Sequence, residues 1–172
     1  CIIVVNATDT HDSLVQKRNA ELIHALRDHG PTVPLHTQNE TPCWHTRASG
    51  FDLLVVDRNS TGFRLPSNQG VGLARKIGCD LALTALRDGS NISSLIHMTD
   101  CDVRLPSDYF DVAVPAACAA LIYRFSHKSS GHSLIDDAHA KYEAFLRYYV
   151  LGLQHAGSPY AFHTIGSCIA VT

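Results

Sequence analysis

The alternation of apolar and polar positions predicts strands and helices that follow one another along the chain. Short apolar runs, several of them rich in β-branched residues, predict buried strands at residues 1–5, 51–56, 92–99, 119–125 and 165–171. Apolar residues spaced three or four apart predict helices at residues 12–29, 69–87 and 134–155. Strands that alternate with helices predict an α/β fold with a mainly parallel central sheet.

Three stretches add detail to this pattern. Residues 31–50 have no apolar period and contain turn-forming residues, which predicts an irregular loop. Pro106 is well placed as the first residue of a further helix over residues 106–116. The strongest helix is predicted at residues 134–155. Its apolar positions are Ile135, Ala138, Tyr142, Phe145, Tyr149 and Leu153.

The composition is that of an ordinary globular protein. The chain has 172 residues, of which 45% are hydrophobic and 17% are charged, and this predicts one domain with a substantial core. The formal net charge of -2 provides no basic surface for nucleic acid or for an anionic membrane. No apolar run approaches the length of a membrane helix, and no signal peptide is visible. We therefore expect a cytoplasmic protein that has no nucleic-acid partner and no membrane segment.

The six cysteines are scattered and form no C-x-x-C pair. This spacing favours free, reduced cysteines in a cytosolic protein over a disulfide framework. The chain begins and ends inside apolar runs, so we expect residues 1–172 to be a single domain that is incomplete at both ends.

Two aspartates mark the end of the predicted strand at residues 92–99. Asp100 and Asp102 are separated by one residue, and two carboxylates so close repel each other unless a cation or hydrogen-bond donors compensate. Mg²⁺ and Mn²⁺ prefer oxygen ligands and often hold a phosphate as well. The pair therefore predicts a metal-phosphate site, and the alternative is a solvated turn closed by an aspartate side chain.

Other candidate residues follow strands or begin helices. Asp57 ends the strand at residues 51–56 and is suited to a ribose or nucleobase, or alternatively to a turn. The N-terminus of the helix that begins near Gly70 is able to attract phosphate, and Arg75 would add positive charge there. The alternative is that Arg75 lies on the solvated side of an amphipathic helix. Its glycine spacing is wrong for a dinucleotide-binding loop. His163 lies in a stretch that mixes aromatic, hydroxyl and small residues, which predicts either a substrate loop or a packed loop.

Several of these motifs, taken in order, resemble the catalytic domain of glycosyltransferase family 2, the inverting GT-A group. Residues 55–61 (VVDRNST) are similar to the family's strand with a V-V-D-x-x-S-x-D signature, although the last Asp is missing. Residues 70–78 (GVGLARKIG) resemble its G-x-x-x-A-R-N-x-G helix, with Lys76 in place of Asn. The most specific match is to the family's D-x-D motif and the P-D-Y/F turn after it, at residues 99–102 and 105–109.

The resemblance implies a GT-A-like, Rossmann-type three-layer sandwich with a mainly parallel central sheet. It implies metal-dependent transfer of a sugar from a UDP- or GDP-sugar to an acceptor hydroxyl, with Mn²⁺ or Mg²⁺ as the cofactor. Nucleotide binding would involve Asn6, Asp57, Arg75 and Asp100. The metal would be held by Asp100 and Asp102.

The same resemblance implies an acceptor side lined by His163, Thr164 and Ser167. The catalytic base would follow residue 172. One alternative is a haloacid-dehalogenase-like phosphatase, which also has D-x-D after a strand. Such enzymes carry Thr or Val two places after the second Asp, where this chain has Arg104. Another alternative is a non-catalytic nucleotide-sugar-binding domain.

Overall fold

The chain folds into two compact units in a computed structural model. The N-terminal unit comprises Cys1–Ser93 and the C-terminal unit comprises Ser94–Thr172. The residues that the structure describes are 1–35, 40–48, 50–89, 95–115, 117–163 and 166–172.

The N-terminal unit contains a four-stranded mixed sheet and two helices. In chain order its elements are β1 (Ile2–Asn6), α1 (Ser13–Arg27), β2 (Thr32–Leu35), β3 (Cys43–Ala48), β4 (Phe51–Arg58) and α2 (Gly70–Arg87). The strand order is β1-β4-β3-β2. Only β1 and β4 run parallel in this sheet, whereas β4–β3 and β3–β2 are antiparallel.

The core of the N-terminal unit lies between α1 and one face of this sheet. Val5, Leu53 and Val55 point from β1 and β4 toward Ile23 of α1, and all four side chains are buried. Asp12 caps α1, because its carboxylate accepts a hydrogen bond from Leu14 N at 2.8 Å. Burial of this apolar side, together with the cap, explains why the predicted first helix forms.

Helix α2 covers the opposite face of the sheet. Successive side chains of a strand point to opposite faces, so Val4 faces away from the core that contains Val5. A β-carbon added at Gly78 of α2 would lie 3.6 Å from the Val4 side chain. This is an ordinary van der Waals distance, so Gly78 marks where α2 packs on β1 without itself being required for the approach.

The C-terminal unit contains a small antiparallel sheet and the longest helix. In chain order its elements are β5 (Ile96–Met98), β6 (Ala120–Ile122), α3 (Ser133–His155) and β7 (Ile169–Val171). The strand order is β5-β7-β6, and both pairings are antiparallel.

The predicted GT-A-like, Rossmann-type three-layer sandwich with a mainly parallel central sheet is wrong. Among the strands described, only the β1–β4 pairing is parallel. One reason is that residues 31–50, predicted to be an irregular loop, contain β2 and β3, which extend the sheet in antiparallel fashion. The connections from β2 to β3 and from β3 to β4 are short and join antiparallel neighbours, whereas parallel neighbours need a long crossover. The other reason is that β5, β6 and β7 form a sheet of their own.

The predicted helices have mixed outcomes. The three helices with a clear apolar period are confirmed as α1, α2 and α3. The helix predicted over residues 106–116 is wrong for residues 106–115, which form turns and irregular backbone. Tyr109 N donates to Pro106 O at 3.2 Å, and Asp111 N donates to Asp108 O at 3.0 Å. The proline thus begins a tight turn rather than a helix, as proline also favours the early positions of β-turns.

The six cysteines are all free in the structure. In the part of the chain that the structure describes, no helix is both long and apolar enough to cross a membrane.

Candidate functional site

Asn6 and Asp57 lie at one edge of the N-terminal sheet. Because β1 and β4 are parallel, their carboxyl ends meet at this edge, with Val5 opposite Asp57 and Asn6 opposite Arg58. Ligands collect at such strand ends in α/β sheets. The structure therefore brings together two of the residues that the sequence assigned to nucleotide binding.

The carboxylate of Asp57 is held by the turn that follows β4. Its Oδ1 accepts hydrogen bonds from Asn59 N at 2.8 Å and Ser60 N at 2.9 Å. Its Oδ2 accepts from Ser60 Oγ at 2.6 Å. Asp57 is only 4% exposed, and these donors compensate for the burial of its charge. The contacts match the turn alternative, and a nucleotide-binding role for Asp57 stays a prediction.

Asn59 and Arg64 connect this turn to α1. Asn59 Nδ2 donates to Gln16 O at 3.0 Å, while Arg64 donates from Nε to Asn59 O and from an Nη to Gln16 Oε1, each at 2.9 Å. Arg64 also pairs with Asp9 at 3.3 Å. Sequence reasoning missed both Asn59 and Arg64, because their partners on α1 lie more than forty residues away.

Asn59 also presents an acceptor that has no partner. Its side chain is only 4% exposed, and its Oδ1 is buried without a hydrogen bond to any described residue. A buried acceptor left unsatisfied costs about 1–3 kcal/mol, so such atoms are rare in folded proteins and call for an explanation. The side-chain oxygen Oδ1 of Asn59 is thus a buried acceptor without a donor among the described residues.

Arg75 is half-buried in the second turn of α2. The next residue, Lys76, pairs with Asp80 one turn later, and the Lys76 side chain is two-thirds exposed. Lys76 therefore belongs to the solvated side of the helix, whereas Arg75 lies closer to the sheet. No side chain caps the first turn of α2 at Gln69.

The D-x-D pair lies at the end of β5 in the C-terminal unit. Asp100 N donates a hydrogen bond to Ser167 Oγ at 3.0 Å, and Ser167 is buried. This contact arises because β5 pairs with β7 in an antiparallel register that places Met98 opposite Ile169. The structure thus brings one predicted metal ligand next to one residue of the predicted acceptor side.

The remaining predicted residues of the C-terminal unit are more exposed or lie elsewhere. Asp102 is exposed two residues beyond Asp100. His163 is half-buried, and its ring packs edge-on against Phe125 with a centroid separation of 6.0 Å. This contact matches the packed-loop alternative for His163. Thr164 lies outside the described residues.

A cluster of rings supports the segment that carries the two aspartates. The rings of His97, Tyr109 and Tyr123 contact one another: the His97 centroid lies 5.2 Å from that of Tyr109 and 5.8 Å from that of Tyr123, and the two tyrosine centroids are 4.6 Å apart. The Tyr123 hydroxyl lies 3.3 Å from His97 Nδ1. Phe110 packs edge-on against His97 at 5.1 Å. Sequence reasoning missed this cluster because it assigned Tyr109 and Phe110 to a helix.

Burial shifts the pKa values within this ring cluster. Desolvation, followed by the neighbouring Tyr123 and Cys168, raises the pKa of Tyr109 to about 12. Desolvation also raises the pKa of Tyr123 and lowers that of His97. All three shifts favour the uncharged form, so the cluster is a neutral support and not a source of charge for catalysis.

Two cavities among the described residues are lined by residues other than the predicted site residues. One, of about 450 Å³, lies at the end of α1 and is lined by His24, Arg27 and Thr32 among others. Another, of about 230 Å³, lies beside α3 and is lined by residues that include His127 and Glu143.

The cavity beside α3 contains a polar cluster that sequence reasoning did not assign. Glu143 Oε1 accepts from His127 N at 2.7 Å and lies 2.9 Å from His127 Nδ1, and these contacts hold the pKa of Glu143 below its usual value. The ring of His139 stacks on His127 at 4.6 Å. Asp136 accepts hydrogen bonds from the nearby Ser129 hydroxyl and Ser130 amide, which lower its pKa. The carboxylates are thus occupied in joining the loop to α3.

The residues that the structure describes contain no group of three or more histidine, cysteine or acidic side chains arranged to hold a metal ion. Mg²⁺ and Mn²⁺ are commonly held by one or two carboxylates together with substrate phosphates and water. The assignment of Asp100 and Asp102 to such a metal stays a prediction.

No protein-family model, curated protein or solved structure matches this chain. The resemblance to glycosyltransferase family 2 therefore stays a prediction that rests on short motifs.

Proposed function

We propose that this protein binds a UDP- or GDP-sugar together with Mn²⁺ or Mg²⁺ and transfers the sugar to an acceptor hydroxyl. The proposal rests on the motif resemblance and, within each unit separately, on the local geometry at one strand end. It places the protein in the cytoplasm, because six free cysteines are typical of a reducing compartment.

The observation that carries the proposal is the side-chain oxygen Oδ1 of Asn59, which has no hydrogen-bond partner among the described residues. It is buried two residues after Asp57, at the edge where β1 and β4 end beside Asn6. Uracil and guanine both present N–H donors, and such a donor would satisfy Asn59 Oδ1. The free energy recovered by pairing a buried acceptor is about 1–3 kcal/mol, which corresponds to roughly five- to 150-fold in affinity.

Within the C-terminal unit, and independently of the Asn59 contact, a cation at Asp100 and Asp102 would bind phosphate. When bound there, the metal would neutralise negative charge on the leaving diphosphate. Asp102 is exposed and therefore accessible to such a ligand. The hydrogen bond from Asp100 N to Ser167 Oγ would fix the backbone that positions both carboxylates.

The first experiment is calorimetric binding of UDP and GDP, each with and without Mn²⁺, to the wild type and to Asp102→Ala. We expect Mn²⁺ to strengthen binding of one nucleotide by at least about tenfold, and Asp102→Ala to abolish that gain. Asp111→Ala is the matched control, because it removes another exposed aspartate a few residues later and should leave the metal dependence intact.

A second arm separates the base from the diphosphate. Uridine or guanosine alone should bind weakly and without metal dependence, because neither carries phosphate. If neither nucleotide binds in any condition, the proposal is wrong, and phosphatase activity becomes the reaction to assay. If binding is equally metal-dependent in Asp102→Ala, the assignment of the metal site is wrong.

A further inference from the structure

Helix α3 carries a row of exposed residues along one side, which we call the α3 seam. Its members are Ile135, Ala138, Tyr142, Phe145, Tyr149 and Gly152, and all six are exposed. The most exposed large side chain is Phe145 at 65%, and even Ile135 is 45% exposed. These residues form most of the apolar period that predicted the helix, yet the structure leaves them uncovered.

Another side of the helix is partly buried. Leu146, Val150 and Leu153 are half-buried there, and Glu143 on the same side bonds to His127. This side is rotated from the seam by roughly a quarter turn, given 3.6 residues per turn. The seam is therefore an apolar surface distinct from the partly buried side of α3.

The spacing of the seam is that of a helix-pairing surface. Its members are separated alternately by three and four residues, which is the pattern that lets side chains of one helix fit between those of another. Over residues 135–152 the seam extends about 26 Å, at 1.5 Å per residue. It is thus regular over its whole length.

The order of large and small residues favours an antiparallel partner that is a second copy of the same helix. A two-fold axis between Tyr142 and Phe145 places Tyr142 opposite Phe145 of the second copy. It also places Ile135 opposite Gly152, and Ala138 opposite Tyr149. Each layer outside the centre then pairs a large residue with a small one, as close packing requires. A parallel pair would instead stack Gly152 on Gly152 and Tyr149 on Tyr149.

Charge on α3 is compatible with this pairing. The acidic residues Asp136, Asp137 and Glu143 lie away from the seam, on other sides of the helix. Lys141 borders the seam, and in the antiparallel arrangement it meets Tyr148 of the second copy and no positive charge. A membrane surface fits less well, because interfacial helices carry basic polar faces and α3 has more acidic than basic side chains outside its histidines.

The area of the seam reaches the lower range of stable interfaces. Its four large side chains, with the neighbouring Leu134, would bury roughly 600 Å² on each copy, or about 1,200 Å² in total. We propose that this protein forms a two-fold symmetric dimer in which the α3 seams of two copies pack antiparallel.

Sedimentation equilibrium of the full chain over a wide concentration range tests the dimer. We expect the wild type to be dimeric and Phe145→Glu to weaken association by at least about a hundredfold, because each dimer contains the substitution twice. Leu151→Glu is the matched control: Leu151 is 59% exposed on the same helix but faces away from the seam, so this variant should remain dimeric. Circular dichroism checks that both variants keep their helices.

A compensating variant tests the antiparallel register. Adding Tyr142→Lys to Phe145→Glu places each new lysine opposite a glutamate of the second copy, and this should restore the dimer. The proposal is overturned if the wild type is monomeric at every concentration. Protection of the seam tyrosines from chemical modification would not change that conclusion. It is also overturned if Phe145→Glu and Leu151→Glu behave alike, or if the double variant stays monomeric.

Discussion

Replacing Tyr109 by Phe should stabilise the protein. The Tyr109 side chain is only 5% exposed and packs against the rings of His97 and Tyr123. Its hydroxyl oxygen is buried and has no hydrogen-bond partner among the described residues. The substitution removes this hydroxyl and leaves the ring, so the packing is retained while an unsatisfied polar group is lost.

The size of the effect follows from the cost of burying a hydroxyl without a partner. That cost is about 1–3 kcal/mol in proteins, and part of it is relieved by local relaxation. We therefore expect the free energy of unfolding to rise by about 1 kcal/mol. In a chain of this size the melting temperature should increase by about 2–4 °C.

Urea denaturation followed by circular dichroism measures this change, because α3 in the same unit contributes to the helical signal. Tyr123→Phe is the matched control. Its hydroxyl lies 3.3 Å from His97 Nδ1, so removing it should lower the free energy of unfolding by about 0.5–1.5 kcal/mol. The two Tyr→Phe changes should thus have opposite signs.

The reasoning fails if Tyr109→Phe destabilises the protein as much as Tyr123→Phe does. That result would mean that the Tyr109 hydroxyl makes a favourable hydrogen bond in solution. A change in the urea dependence of the unfolding free energy would instead indicate an altered unfolded state, and the comparison would then rest on the melting temperatures.

Three further predictions concern pH and the D-x-D segment. The pKa of Tyr109 is raised from 10 to about 12, so between these pH values the folded protein keeps a proton that the unfolded chain loses. The free energy of unfolding should therefore fall with rising pH in this range, by about 1.4 kcal/mol per pH unit more in the wild type than in Tyr109→Phe. Urea denaturation at a series of pH values measures the difference. Ser167→Ala should lower the free energy of unfolding by about 1 kcal/mol, because Asp100 N loses its acceptor; an unchanged value would show that the contact contributes nothing. The lowered pKa of Glu143 stabilises the fold above the ordinary glutamate pKa, and this contribution is lost as the pH falls through the folded value. Acid titration of Glu143→Gln should therefore show a smaller loss of stability than the wild type, and an identical acid profile would contradict the role of the His127 contacts.

The candidate site could be predicted only in part from the sequence. Asn6, Asp57 and Asp100 were found because each follows an apolar run, and a strand end is a local feature. The hydrogen bonds from Ser60 to Asp57 span three residues, so the turn alternative was also visible. Asn59 and Ser167 carry contacts that reach across 43 and 67 residues, and no local pattern reports such contacts.

The sequence by itself determined the three helices and the positions of most strands. A helix is stabilised by bonds between residues four apart and by an apolar side with the same period, so α1, α2 and α3 could be located within a few residues. Tertiary structure alone decided the direction and partners of the strands. An apolar run is the same whether its neighbour is parallel or antiparallel, and β5 pairs with β7 across more than seventy residues.

The same distinction holds for burial. The apolar period of α3 was read correctly from the sequence, but the period does not say what covers it. In the structure Leu146 and Val150 are half-buried, whereas Tyr142 and Phe145 remain exposed. A helical period depends only on the neighbouring residues of the helix, and the burial of a side chain depends on which distant surface reaches it.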